Sequence, residues 1–204
     1  MTDGRLELLL GETGGGKSSL AHNEIGKRQH VLLAPGPTNP TMEKYNYLYD
    51  SDDDLKRGLE LLEIGESFAI YYKHDNPNIF RFMERVKLIW LDEISYYKKD
   101  KKLMRQLDWW SRNIRSRNQI VMANTHRGAG DVPDVLYSNS RLLRWVGPCS
   151  SNPQNLSILY GNKSVNCLQG LDFDAFREKI STLKPYKWDE PNEEDSVLVI
   201  KDMT

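Results

Sequence analysis

At 204 residues, with 39% hydrophobic and 28% charged side chains, the chain suits one well-cored domain and fits neither a disordered nor a membrane-embedded protein. No run reaches the ~20 apolar residues of a spanning helix, and Met1 to Arg5 leads straight into an apolar strand, so neither membrane insertion nor secretion is expected. The formal net charge of -1 leaves the partner open, since nucleic acid can be bound through a local basic surface.

In chain order, Arg5 to Leu10 reads as a first strand, followed by a Gly-rich turn and a helix from Lys17 to Lys27. Val31 to Pro35 is a second strand, Gly36 to Pro40 a loop by its turn chemistry, and Asp52 to Ile64 a helix with Leu55, Leu59 and Leu62 on one face. Ser67 to Tyr72 is a strand, Asn78 to Arg85 a short helix, and Lys87 to Leu91 an apolar run suited to a strand buried on both faces. A long helix is expected from Tyr97 to Ser116, then a buried strand from Gln119 to Asn124, a polar loop to Pro133, a short helix and a strand from Arg141 to Val146. A β pair is expected at Leu156 to Tyr160 and Ser164 to Leu168, and a helix at Phe173 to Leu183. This alternation predicts an α/β fold with a mainly parallel central sheet flanked by helices, one domain over residues 1–183, and an acidic tail over 184–204 whose Val197 to Ile200 can pair with a sheet edge or a neighbouring subunit. Cys149, Cys167 and the histidines share no metal-ligand spacing, which predicts reduced thiols and no zinc.

The turn Gly11-Glu12-Thr13-Gly14-Gly15-Gly16-Lys17-Ser18 matches G-x-x-x-x-G-K-[ST] in full, after a strand and before a helix. Glycines let backbone N–H groups converge on phosphate oxygens, and the helix N-terminus adds a positive dipole end. Lys17 is expected to reach the β and γ phosphates and Ser18 to give its hydroxyl to Mg²⁺, with Ser19 completing the nucleotide-binding set. Asp92, after the apolar run, is placed to hold Mg²⁺, and Glu93 to polarise the water that attacks the γ phosphate. Asn124, at the end of the next apolar strand, is the favoured γ-phosphate sensor, with Thr125 and His126 as alternatives. Between Lys98 and Arg117 eight basic residues stand against Asp100 and Asp108, a helix that can face nucleic-acid phosphates or reach a neighbouring subunit's ATP, and whose bland alternative is a solvated face. At least one of Trp109 and Trp110 is expected in the core.

The sequence Leu88 to Glu93, the helix ending Arg115-Ser116-Arg117, and Ile120 to Arg127 with Asp131-Val132-Pro133 resemble the FtsK–HerA group of DNA-pumping P-loop ATPases, above all the compact genome-packaging ATPases of viruses with an internal membrane. The resemblance covers roughly residues 5–148. It implies a RecA-like core of the ASCE division, ATP and Mg²⁺ as cofactors, and a homo-oligomeric ring, hexameric or pentameric, around double-stranded DNA. By the same resemblance Arg115 or Arg117 serves as an arginine finger; the residues themselves offer Arg127, Arg141 and Arg144 as secondary candidates. Capsid or internal-membrane proteins are the further partners it implies, and the host cytoplasm, with association to the assembling virion, the location. Where the group often has Gln at the strand end, this chain has Asn124 or Thr125.

Two other readings stand beside this one. Many P-loop kinases acting on a nucleoside or other small metabolite have this length, and Glu93 weighs against that class. A nucleotide-dependent scaffold without turnover is disfavoured by the intact Lys17, Asp92 and Glu93.

Overall fold

The computed structural model describes residues 4–35, 45–73, 76–125, 132, 134–149 and 172–202. The loop expected at Gly36 to Pro40, the segment holding His126 and Arg127, and the strand pair expected at 156–160 and 164–168 lie outside the described residues. Eight strands form one sheet: β1 (Arg5–Leu10), β2 (Val31–Ala34), β3 (Asn46–Tyr49), β4 (Phe68–Tyr71), β5 (Leu88–Leu91), β6 (Ile120–Asn124), β7 (Leu142–Val146) and β8 (Val197–Asp202). Their order is β3-β4-β2-β5-β6-β1-β7-β8, parallel throughout except for the antiparallel β7–β8 pair at the edge. Seven α-helices are described: α1 (Lys17–Ile25), α2 (Asp52–Glu63), α3 (Asn78–Met83), α4 (Lys101–Asn113), α5 (Asp134–Asn139), α6 (Phe173–Ser181) and α7 (Glu193–Ser196).

The two-residue period of a strand divides the core. Leu6, Leu8, Leu33, Ile89, Leu91, Val121 and Ala123 face a large apolar cluster that also takes side chains from α2, α3, α4, α5 and α6. Leu9, Leu32, Leu88, Trp90, Ile120 and Met122 face the other way, toward Leu20, Ala21 and Ile25 of α1 and toward Tyr186. Central strands are therefore apolar on both faces, as buried parallel strands must be.

Two departures from the expected elements have local causes. Strand β3 was not expected from the sequence: only Leu48 of its four residues is buried, so the apolar signal is a single side chain on an edge strand. The long helix expected from Tyr97 to Ser116 is instead a 3₁₀ segment, Ile94–Lys99, followed by α4, whose Met104 N–H donates to the Asp100 carbonyl at 2.9 Å. Glu93 precedes the tight segment with φ 53°, a left-handed conformation that turns the chain sharply off the end of β5. Of the two tryptophans, Trp110 is buried, with Nε1 donating to Gln119 Oε1 at 3.2 Å, and Trp109 is exposed.

The carboxyl-terminal segment joins the sheet and crosses behind the Gly-rich turn. Tyr186 N–H donates to the Gly15 carbonyl at 3.0 Å, and Gly147 N–H to the Ser196 carbonyl at 2.8 Å. A Cβ on Gly16, whose φ is 91°, would lie 2.3 Å from the Tyr186 carbonyl oxygen, and one on Gly15 would lie 2.5 Å from that of Val146. No helix among the described residues is long and apolar enough to cross a membrane.

Candidate functional site

The Gly-rich turn leaves the carboxyl end of β1 and enters α1 at Lys17. Gly16 stands at the N-cap position without a side-chain cap, and the first turn of α1 holds no acidic residue, so the amide donors there and the positive dipole end are left to an anion. Gly11, Gly14 and Gly16 have φ of 149°, 81° and 91°. Nothing lies within 4 Å of a Cβ placed on Gly14, so at that position conformation and not space favours glycine.

Lys17 is 3% exposed, and its Nζ donates to the carbonyls of Gly11 at 2.9 Å and Glu12 at 2.7 Å. An ammonium has three N–H donors. Burial pushes the Lys17 pKa down to about 8, against the opposing pull of Glu93, Asp92 and Glu12.

Strand parity and register bring the carboxylates to the cradle. β6 lies between β1 and β5, with Leu91 beside Ala123, so Asp92 continues beside Asn124 and Glu93 beside Thr125. Asn124 Nδ2 donates to Asp92 Oδ1 at 2.7 Å and to Ser18 Oγ at 3.4 Å. Trp90, fully buried, donates its Nε1–H to Asn124 Oδ1 at 3.1 Å. An indole N–H can only donate, so it fixes which end of the carboxamide is oxygen and turns the NH₂ toward Asp92 and Ser18. On the opposite side of the strand ends, Thr125 Oγ1 donates to Glu93 Oε1 at 3.1 Å, and Ser95 Oγ donates to the same oxygen. Each carboxylate is thus held by its own polar partner from the end of β6.

Lys17, Ser18, Asp92, Glu93, Asn124 and Thr125 are therefore brought together at one edge of the sheet. A hydroxyl and a carboxylate joined by one carboxamide are a hard-oxygen donor set, which fits Mg²⁺ better than a soft metal. Glu12 is placed differently: Cys149 Sγ donates to its carboxylate at 3.3 Å, toward β7. Thr13 lies in the turn and Ser19 in the first turn of α1.

Of the arginines expected as fingers, Arg127 lies outside the described residues, and Arg115, Arg117 and Arg144 are not at this edge. Arg115 lies beside Gly4, where a Cβ would come 3.0 Å from the Arg115 Cα, at the start of β1. Six residues of strand, about 20 Å, separate that end from the cradle. Arg117 is paired with Glu84 at 2.9 Å and sits 5.3 Å from the Trp109 ring centroid. Arg144 is buried on the α1 side of β7, bound to Glu7 at 3.1 Å and to both carboxylate oxygens of Glu24. It joins α1 to the sheet, which removes it from the finger candidates.

Sequence reasoning missed Trp90, Ser95 and Tyr186. Trp90 stands two residues before Asp92, on the same strand face, so parity alone could have flagged it; no local signal pointed to Ser95 or Tyr186.

No protein-family model matches the chain, and no curated protein matches it in sequence. Among solved structures it is similar to B204, the DNA-packaging ATPase from Sulfolobus turreted icosahedral virus, at 14% identity and TM-score 0.64, covering 100% of both chains. It is also similar to the genome packaging NTPase B204 from Sulfolobus turreted icosahedral virus 2, in complex with AMP (16% identity, TM-score 0.64, covering 100% of this chain and 94% of that one). The same NTPase in complex with ATP-gammaS matches at 16% identity and TM-score 0.62, with 100% of both chains covered. At these identities the likeness establishes the fold alone: α/β and RecA-like, with a mainly parallel sheet flanked by helices.

Proposed function

We propose that the chain is a P-loop ATPase that hydrolyses ATP with Mg²⁺ to drive packaging of a viral genome, most simply by translocating double-stranded DNA through a homo-oligomeric ring, hexameric or pentameric. The observation that carries the reading is the bracket at the end of β6: Asn124 joins Asp92 to Ser18 across the cradle, while Thr125 holds Glu93 beside them. Full-length structural likeness to the two B204 proteins supports it.

In this reading Gly11 to Gly16 and the start of α1 bind the phosphates through backbone N–H groups, with Lys17 on the β and γ oxygens and Ser19 nearby. Ser18 and Asp92 would hold Mg²⁺, which when bound supplies charge neutralisation on the phosphate oxygens. Glu93 takes the proton of the attacking water at a carboxylate oxygen, and Thr125 and Ser95 keep that carboxylate oriented until it does. Asn124 positions Asp92 and Ser18, and its closeness to both lets it sense the γ phosphate through them. An arginine finger would come from a neighbouring subunit, with Arg115 preferred because Arg117 is committed to Glu84 and Trp109. Residues 184–202 belong with the ATPase unit, because Tyr186 contacts Gly15. The protein would act in the host cytoplasm and at the assembling virion, docked on capsid or internal-membrane proteins.

Steady-state ATP hydrolysis with Mg²⁺, with and without double-stranded DNA, for the parent and Glu93→Gln, tests the proposal. DNA-stimulated turnover that the variant lacks is the expected result. Phosphate transfer to a nucleoside with little transfer to water would support the kinase reading instead.

A further inference from the structure

One exposed face of α4 is basic along its length and leads away from the nucleotide cradle. Lys101, Arg105, Trp109 and Arg112 are all exposed and follow one another at intervals of four, four and three residues, which puts them on one face of α4. At 1.5 Å per residue they mark a line about 16 Å long. Its carboxyl end opens into a cavity of about 280 Å³ lined by Arg5, Arg112 and Arg115, with Ser111, Ser138 and Asn139 between them. The guanidinium of Arg112 is held in place by Asp108 at 2.7 Å and that of Arg5 by Glu7 at 2.5 Å, each keeping further N–H donors for another ligand. Among the described residues neither Arg105 nor Arg115 has a carboxylate partner. No carboxylate of the described residues lines the cavity.

From this arrangement we propose that the exposed face of α4 and the Arg5–Arg112 notch at its carboxyl end form a track for the phosphate backbone of nucleic acid. Forked guanidiniums are the groups that bind phosphate oxygens with defined geometry. A single terminal phosphate would fill the notch alone, whereas a row of cations leading into it matches a ligand whose charges repeat along a chain. The track starts at Lys101, just past the 3₁₀ segment that follows Glu93, and ends in the notch beside the start of β1, so nucleic acid would run along α4 from the cradle edge of the sheet to its amino-terminal edge. The inference rests on the packaging reading above and locates the polyanion within it.

The test measures affinity for a short random-sequence DNA duplex as a function of salt. It compares the parent, Arg105→Ala/Arg112→Ala, and a control, Lys27→Ala/Arg57→Ala, that removes the same charge from exposed positions elsewhere. The α4 pair is expected to weaken binding and to lower the slope of log affinity against log salt by about 2, roughly 1 per lost phosphate contact. Its ATP hydrolysis without DNA should match the parent, and the control pair should keep the parental slope. Equal losses in both pairs would reduce the effect to net charge and overturn the track, as would an unchanged slope in the α4 pair while the parent binds. A parent that hydrolyses ATP but binds no duplex at all would instead remove the packaging reading itself.

Discussion

Asn124 donates to Asp92 at 2.7 Å while accepting from the indole of Trp90, so a residue buried in the sheet sets the direction of a carboxylate at its edge. The pair behaves as a positioning unit: Asn124→Leu leaves Trp90 Nε1 without an acceptor in a dry core, at a cost of about 1–3 kcal/mol. It also frees Asp92 from its partner. Weaker binding of a non-hydrolysable ATP analogue in the presence of Mg²⁺, with a smaller change in EDTA, is the expected outcome. Equal loss under both conditions would assign Asn124 to the nucleotide alone.

Glu93→Gln keeps the shape of the side chain and its contact with Thr125 but cannot take a proton. Turnover should fall by about 10²-fold to 10⁴-fold, with analogue affinity close to that of the parent. Thr125→Ala loosens the carboxylate without removing it and should lie between the two in turnover, checked by single-turnover kinetics.

Lys17 should make nucleotide binding depend on pH. Burial lowers its pKa to about 8 in the folded chain, so between that value and the unfolded value near 10.4 the unfolded state holds more protons. Lys17 therefore makes stability rise with pH across that window, and below about pH 8 the buried charge is present and its burial cost is felt in full. Phosphate restores a counter-charge, so binding an ATP analogue at pH 8.5 or above, about half a unit past the Lys17 midpoint, should take up protons, whereas binding well below it should not. Calorimetry in buffers of differing ionisation enthalpy reads the uptake directly.

Gly16→Ala should injure both fold and function. The new methyl would stand 2.3 Å from the Tyr186 carbonyl oxygen at a φ of 91°, a conformation costing a side chain of order 1–3 kcal/mol. A lowered melting temperature together with lost analogue binding is expected. A variant that melts lower yet binds normally would show that residues 184–190 yield before the cradle does.

Arg144→Ala leaves the half-buried Glu24 without its partner beside the buried Glu7, which keeps Arg5. Loss of one partner from such a cluster costs about 3–5 kcal/mol, read as a shift in the denaturant midpoint. In subunit mixing the variant should not inhibit its neighbours beyond its own loss of folded protein, which distinguishes an internal tie from a finger.

The parts of this site that were legible in the sequence are those encoded by neighbours along the chain. Gly11 to Ser18 is a contiguous motif, and Asp92-Glu93 ends an uninterrupted apolar strand whose two-sided burial the structure bears out. Asn124 was legible as a strand-end polar residue, but not as the link between Asp92 and Ser18, because that depends on β6 standing between β1 and β5. Strand β3 was hidden for an energetic reason: Leu48 alone of Asn46–Tyr49 gains from burial. The break between Lys99 and Lys101 was hidden too, since helix-forming residues continue across it and the cause lies upstream, in the left-handed backbone of Glu93.

The contacts of Tyr186 also bear on how the chain reaches its native state. Its hydroxyl accepts from Asn23 of α1 across 163 residues of sequence, and its backbone N–H is bonded to Gly15. Closing so long a loop is entropically slow compared with forming a helix or a local turn. The rear of the phosphate cradle is therefore among the last features to set, because residues 11–18 gain their backing only when Tyr186 and the segment around it have returned to the sheet.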